Sequence, residues 1–184
     1  VQLQVALSFT SIENARNNLK AECDHWDFDR VVAESREAWN AVFSRIEVKG
    51  GSKEQRTKFY TDLWHALMGR HQLNDANGAI PDYTDGKGNN TTELKIRQLP
   101  LGPDGKPLFN YYNADSFWLT NFNLNVLWGI GWPHVLRDFA NSFLELDKWG
   151  GVLPRGPNGG GYTFIMTGCP ATPLIVSAHN LGLL

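Results

Sequence analysis

The chain has 184 residues, of which 42% are hydrophobic and 12% aromatic, so it can bury a sizeable core and has the size of one domain or slightly more. Its 17 basic and 19 acidic residues are mixed along the sequence and give a net charge of −2, which excludes the basic footprint of a nucleic-acid-binding or membrane-surface protein. No uninterrupted apolar run reaches the roughly 20 residues of a membrane-spanning helix. Cys23 and Cys169 are too far apart in sequence to form a metal-ligand pair by themselves, and they prove no disulfide.

The first nine residues alternate apolar and polar side chains, which predicts one half-buried β-strand. A single strand leaves its backbone groups unpaired, so we expect it to join a sheet that other residues of a longer chain provide. A short helix capped by Ser11 is predicted next, through Leu19. At the other end, a helix near residues 171–180 is predicted to stop at Gly182. Both ends therefore favour a segment of a larger protein.

Between these ends, apolar residues at helical spacing predict two antiparallel pairs of helices. Gly-Gly sequences end two of these helices, and a proline fits the first turn of the last one. The four helices are predicted at residues 27–49, 52–68, 113–133 and 133–149. We therefore predict a mainly α fold built from αα-hairpins.

The central helix at residues 113–133 is apolar nearly all round, which predicts that it is buried. Asn121 and Asn125 are four residues apart and share a face, so at least two buried amides need hydrogen-bond partners. Two interpretations remain open. The amides tie this helix to its neighbours, or Asp115, Trp118 and an amide reach a pocket at the helix start, where backbone N–H groups are free.

Residues 72–112 lack helical periodicity and contain several turn sequences rich in Asn, Asp and Gly. About forty residues is well beyond the usual loop length of roughly 12–15, so this stretch is either a binding loop or holds a small hairpin around residues 92–97. Residues 75–78 superficially resemble a calcium loop, but Leu73 occupies the first ligand position, and we interpret them as a turn. A flexible loop is also predicted at residues 156–161.

The five histidines show no metal-binding spacing, and no nucleophile elbow accompanies them, so nucleophilic triads are unsupported. Several carboxylates lie in or beside loops rich in Tyr, Trp and Asn, which is the mixture that a polyhydroxylated ligand needs. These carboxylates are Asp75, Asp82, Asp85 and Asp115. Spacing alone assigns no pair of them as acid and base.

Six stretches resemble, in the right order and with similar gaps, motifs of glycoside hydrolase family 92, whose members are calcium-dependent exo-acting α-mannosidases. The stretches are residues 6–16, 59–65, 75–78, 116–118, 150–154 and 166–168. The resemblance implies that residues 1–26 are the end of an N-terminal β-sandwich and its linker, and that residues 27–184 are part of a catalytic (α/α)6 toroid. It further implies an inverting two-carboxylate mechanism, a calcium cofactor and a secreted or periplasmic location.

The same resemblance suggests which residues meet the glycan substrate. Trp118 would be the sugar platform, with Asp115, Gly150, Gly151 and Arg155 near the pocket. The general acid, the base and the calcium ligands belong to family motifs beyond Leu184, so we expect this segment alone to be inactive and to need the remainder of its own longer chain.

The chain departs from the family motifs at several positions. Leu119 and Phe122 stand where the family carries an acid and an arginine, Gly156 replaces a tryptophan, and Cys169-Pro170 replaces Asn/Asp-His. The alternative is therefore a non-catalytic helical carbohydrate-binding or scaffold domain. Leu119 and Phe122 favour this alternative, whereas the retained Trp118 favours the hydrolase.

Overall fold

The computed structural model describes residues 1–68, 71–84, 95–113, 117–156 and 168–184, and for Asn113, Phe117 and Trp118 it describes the backbone only. The described residues are mainly helical, which confirms the predicted fold class. The elements are α1 (Ile12–Glu22), α2 (Phe28–Phe43), α3 (Lys53–Leu67), β1 (His71–Gln72), β2 (Ala79–Asp82), β3 (Lys95–Gln98), β4 (Tyr112–Asn113), a 3-10 helix (Phe117–Phe122), α4 (Leu124–Gly131), α5 (Pro133–Gly150) and α6 (Ala171–Asn180). Among them, no helix is both long enough and apolar enough to cross a membrane.

The first three helices begin at side chains that cap them. Ser11 accepts a hydrogen bond from the Asn14 backbone N–H, and Ser52 forms a reciprocal capping box with Gln55. Such caps satisfy backbone N–H groups that have no partner inside the helix. The helix predicted after Ser11 is thereby confirmed, although it extends three residues further than Leu19.

Aromatic side chains join α2 to α3. Trp39 meets the edge of Trp64 with ring centroids 6.3 Å apart, and Phe43 lies 6.1 Å from Tyr60. The order of these contacts is opposite along the two helices, which confirms the predicted antiparallel pair. The Tyr60 hydroxyl also donates to the Ile46 carbonyl at 3.0 Å, which fixes the turn after α2.

The core of the described structure is formed by the later helices. α5 packs against both α4 and α6, and its buried side chains follow helical spacing. The ring of Phe139 is stacked between Trp128 of α4 and Tyr112 of β4, with centroid distances of 5.0 and 4.4 Å. α4 approaches α6 so closely that a Cβ atom at Gly129 would overlap with the Leu181 side chain.

The stretch at residues 72–112 contains two small antiparallel sheets. β1 pairs with β4, which places His71 opposite Asn113. β2 pairs with β3, which places Ile80 opposite Arg97. A hairpin is therefore present, but its strands are Ala79–Asp82 and Lys95–Gln98, so it begins earlier than the expected residues 92–97. Gly78 has a φ of +81°, which suits glycine, and residues 75–78 form the predicted turn.

The prediction for residues 113–133 needs correction in two respects. The helix expected over residues 113–133 is divided at Asn123, whose φ of −153° is not helical. Its predicted burial all round is also wrong, because side chains on one face of α4 and just before it are exposed, with exposed fractions of 75%, 56% and 78% at Phe122, Val126 and Ile130. Residues 1–8 form no strand with any described residue.

Candidate functional site

The residues expected to bind a substrate lie on two parts of the fold. Trp118 belongs to the 3-10 helix, which packs against α4 and α6, but its side chain and all of Asp115 lie outside the described residues. Gly150, Gly151 and Arg155 follow one another at the end of α5. Of the predicted set, these three residues lie wholly within the described ranges.

Gly151 ends α5 in the left-handed conformation, with a φ of +80°. Its backbone N–H donates to the Asp147 carbonyl at 2.7 Å, so the helix stops sharply and the chain leaves over Gly150 and Gly151. A side chain at residue 151 would be strained in this conformation. The Gly-Gly sequence therefore supplies a turn without side chains at the end of α5.

Arg155 lies four residues beyond this turn and is half-buried. Its Nε is buried and has no hydrogen-bond partner among the described residues. An unpaired buried donor on a charged group costs stability unless water or a ligand satisfies it. This unsatisfied donor is an observation that favours Arg155 as a ligand-binding residue.

Polar side chains of α5 hold the segment that leads to β4. The Asp138 carboxylate accepts a hydrogen bond from the Asn110 N–H at 3.1 Å, and the Ser142 hydroxyl accepts one from the Tyr112 N–H at 3.1 Å. Asp138 and Ser142 are buried. They therefore satisfy backbone groups inside the protein and fix the strand that precedes the predicted sugar-binding helix.

A second polar cluster joins the β2–β3 hairpin to the end of α5. The Asp82 side chain is 1% exposed and accepts hydrogen bonds from the Thr84 N–H, from the Thr84 hydroxyl and, at 2.8 Å, from Nε of Arg97. The Arg97 guanidinium lies over the Trp149 ring, 5.8 Å from its centroid. Trp149 precedes Gly150, so this cluster lies beside the turn.

The hydrogen bonds on Asp82 decide its charge. Desolvation by burial raises its pKa, but the hydrogen bonds from Thr84 and the hydrogen bond and charge of Arg97 together lower the pKa below its ordinary value. Asp82 is therefore ionised at neutral pH. It can orient a cation, but it cannot act as a general acid.

Asp75 has a structural role, although its position in a loop predicts a ligand-binding group. It is 2% exposed and accepts hydrogen bonds from the hydroxyls of Ser8 and Thr10 and, at 2.7 Å, from the Asn18 amide. All these donors belong to the first 18 residues. The carboxylate thus fastens the beginning of the chain to the turn before β2.

The two amides expected to share a face are separated. Asn121 is exposed, whereas Asn125 is 1% exposed and neither polar atom of its side chain has a partner among the described residues. The division of the helix at Asn123 causes this difference. Asn125 is therefore the amide that remains unsatisfied inside the protein, and the prediction that Asn121 is buried is wrong.

Within the described ranges, His, Cys, Asp and Glu side chains form no group of three or more that could hold a metal ion.

The family model for the glycosyl hydrolase family 92 catalytic domain matches residues 14–184. The chain belongs to glycosyl hydrolase family 92. A search of curated proteins finds no match.

Solved structures of family 92 proteins share this fold. The α-mannosidase BT3965 from Bacteroides thetaiotaomicron has a TM-score of 0.75 and 24% identity, with 91% of this chain and 20% of that chain covered. The same enzyme in complex with mannoimidazole gives a TM-score of 0.71 at 24% identity, with 86% and 19% covered. The inverting mannosidase BT2199 from B. thetaiotaomicron VPI-5482 gives 0.76 at 23% identity, with 96% and 22% covered. The chain spans about a fifth of the length of these proteins.

The family resemblance predicts Gly150, Gly151 and Arg155 as site residues, whereas nothing in the sequence indicates the group around Arg97. Asp82 was recognised as a carboxylate near aromatic residues, yet its partners were not identifiable. In the sequence, Trp149 is one aromatic residue of a predicted helix among others, and only the folded hairpin places Arg97 beside it. The pairing of β2 with β3 is the signal that would have brought Asp82 and Arg97 together.

Proposed function

We propose that this chain is part of the catalytic domain of a glycoside hydrolase that removes α-mannosyl residues, or related sugars, from glycans. The match to the family 92 catalytic domain over residues 14–184 carries the proposal. It is supported by the fold shared with two mannosidases, one of which is known in complex with mannoimidazole.

The turn at the end of α5 supports a ligand site in this domain. Gly150 and Gly151 leave the backbone uncovered by side chains, and Arg155 has a buried donor without a partner. Sugar hydroxyls accept hydrogen bonds from such donors. We therefore keep Gly150, Gly151 and Arg155 as substrate-binding residues and propose Trp118 and Asp115 as their companions.

We propose an inverting mechanism whose carboxylates come from outside the described residues. An inverting hydrolase needs a general acid and a general base with carboxyl groups about 6.5–9.5 Å apart. Within the described ranges, the buried carboxylates Asp75, Asp82 and Asp138 all accept hydrogen bonds from the chain itself. These three carboxylates therefore stabilise the fold, and we do not propose them as the catalytic pair. A calcium cofactor is likewise proposed with ligands from elsewhere in the protein.

The opening residues favour the proposed division at residue 26. Leu3, Val5, Leu7 and Phe9 are exposed, whereas Ser8 and Thr10 face inward and bind Asp75. An apolar row of this kind suits the contact layer of a β-sandwich. We propose that residues 1–26 end such a domain, and that the protein is secreted or periplasmic, where glycans are accessible.

A non-catalytic carbohydrate-binding domain is the second candidate. Leu119 and Phe122, which stand at the expected acid and arginine positions, are 47% and 75% exposed. Apolar side chains there cannot hold ring hydroxyls by hydrogen bonds. This candidate predicts glycan binding without turnover.

The test is hydrolysis of an aryl α-mannoside by the full-length protein, with the anomer of the first product determined by NMR. We expect β-mannose first, because inversion changes the configuration at the anomeric carbon. Binding without turnover would favour the second candidate, and the α-anomer as first product would contradict the inverting mechanism.

The site is tested by Arg155→Gln. Loss of hydrogen bonds from a charged donor weakens substrate binding by about 1.5–3 kcal/mol, so we expect KM to rise by at least tenfold. Arg36→Gln is the matched control, because Arg36 is exposed on α2. An unchanged KM in Arg155→Gln would show that Arg155 does not bind the substrate.

A further inference from the structure

Arg97 is held in one orientation by three independent contacts. Its backbone pairs with Ile80, which is fully buried, and its Nε donates to the buried Asp82 carboxylate at 2.8 Å. Its guanidinium lies over the indole of Trp149. A planar cation that is both hydrogen-bonded at Nε and stacked on an aromatic ring has little freedom left.

The terminal nitrogens of Arg97 are still available. The side chain is 44% exposed, and among the described residues the hydrogen bond to Asp82 engages only Nε. A guanidinium carries four N–H groups on its two terminal nitrogens, and they form a flat donor fork. Arg97 therefore presents a fixed fork of donors to solvent.

This fork lies beside the candidate site. Trp149, on which the guanidinium rests, is followed directly by Gly150 and Gly151. The hairpin thus brings a donor from residue 97 to the end of α5. The Trp149 face toward Arg97 is occupied by the guanidinium and cannot stack on a sugar.

The net charge of the Arg97–Asp82 pair indicates which kind of ligand Arg97 would bind. Asp82 is ionised and lies in direct contact with Arg97, so the pair has no net charge. A neutral pair has little long-range attraction for an anion. Its donor fork suits neutral oxygen acceptors, such as two adjacent hydroxyl groups.

We propose that Arg97 is a further substrate-contacting residue, which donates hydrogen bonds to adjacent hydroxyls of a neutral glycan, and that Asp82 is its positioning residue. This inference rests on the proposed glycan-binding function. It adds a residue of the β2–β3 hairpin to the candidate site, whose other described residues lie at and after the end of α5.

The experiment uses the full-length protein with Arg97→Gln, Arg97→Lys and Asp82→Asn. Binding of a neutral α-mannoside whose thio linkage resists hydrolysis is measured by calorimetry, and Tm is measured for each variant. We expect Arg97→Gln to weaken binding by about tenfold to a hundredfold, as for the loss of hydrogen bonds from a charged donor. Arg97→Lys keeps the charge but loses the fork, so it should restore little affinity.

Arg30→Gln is the matched control. Arg30 also donates through Nε to a carboxylate, that of Glu34, but it lies on the exposed surface of α2. We expect no change in affinity there. Asp82→Asn should weaken binding less than Arg97→Gln, because it frees the guanidinium without removing its donors.

Chemical modification tests the wild-type protein and does not depend on folding of a variant. An arginine-directed dicarbonyl reagent should modify Arg97 more slowly when the mannoside is bound, while modification of Arg30 stays unchanged, as read by mass spectrometry. Equal modification of Arg97 with and without bound mannoside would overturn the proposed contact.

The remaining outcomes separate the two proposals. A lower Tm with unchanged affinity in the Arg97 variants would mean that Arg97 only stabilises the fold. That result would overturn this inference and leave the proposed function intact. Preferential binding of sulfated or uronic-acid glycans would contradict the proposal that the ligand is neutral. A wild-type protein that binds no glycan at all would overturn both this inference and the proposed function.

Discussion

The helices before and after the small sheets differ in how much they bury, although both groups repeat apolar residues at helical spacing. α1 and α2 contain no buried residue, and α3 contains only Leu63. α5 alone contains seven buried residues, including Leu136, Phe139 and Phe143. The first three helices nevertheless begin with well-formed caps.

This difference separates what makes a helix from what stabilises a fold. Caps and periodicity are local and define α1–α3 without a core. Burial of apolar side chains supplies most of the stability, and here it is concentrated in α4–α6. Arg45 ties the first region to the second, because its guanidinium donates to the Gly131 carbonyl at 2.9 Å. Asp75 ties the first region to the turn before β2, where it accepts a hydrogen bond from Asn18.

The largest expected effect comes from matched phenylalanines in the two regions. Phe139→Ala removes a fully buried ring stacked on two aromatic neighbours, so we expect a loss of about 3–5 kcal/mol in the free energy of unfolding. Phe28→Ala, at a side chain 65% exposed in α2, should cost no more than about 0.5 kcal/mol. Urea denaturation followed by tryptophan fluorescence measures both, and similar losses would refute the contrast between the regions.

An intermediate effect is expected for the tie at Asp75. Asp75→Ala leaves Ser8, Thr10 and Asn18 without their shared acceptor, and because these part-buried donors can bond to water instead, we expect a total loss of about 1–3 kcal/mol in the free energy of unfolding. Hydrogen exchange should accelerate in α1 and remain slow in α5. Asp62→Ala is the control, because Asp62 is exposed and pairs with Lys58 on the same helix. Unchanged exchange in α1 would mean that the first residues are held by other contacts.

The smallest effect concerns pH at the junction between α2 and α5. Desolvation, followed by the charge of Arg45 and then of Arg137, lowers the pKa of His134 below its ordinary value, and Asp138 opposes this shift. Protonation therefore favours the unfolded chain. The resulting stability is present above about pH 6.5 and is lost as pH falls through the folded pKa.

His134→Gln should therefore flatten the dependence of Tm on pH below about 6.5. The change should be small because the His134 side chain is exposed and solvent screens its neighbours. His65→Gln, another exposed histidine, controls for the loss of an imidazole. A slope that persists in His134→Gln would assign the pH dependence to another group.

The sequence predicted elements whose causes are local. Ser11, Ser52 and Gly151 act on backbone groups within a few residues, so their helix boundaries could be identified without a structure. The break at Asn123 could not, because the residues on both sides of it are apolar and continue a helical pattern. Nothing local marks where one helix becomes two.

The candidate site was predictable only where the chain itself brings residues together. Gly150, Gly151 and Arg155 lie within six positions, and family motifs identify them. Asp82 and Arg97 are fifteen residues apart and meet only through strand pairing. Asp75 is a candidate ligand-binding carboxylate in the sequence because it lies in a loop rich in polar and aromatic residues. Its structural role could not be predicted, because its donors lie more than fifty residues earlier in the chain.

The close approach of α4 to α6 at Gly129 links two distant positions of the sequence. Because the Leu181 side chain fills the space that a methyl group on residue 129 would need, a larger residue at 129 requires that side chain to move or residue 181 to be smaller. Across the relatives of this chain, the two positions should therefore vary as a pair, and their covariation would record this helix contact where overall identity is too low to reveal it.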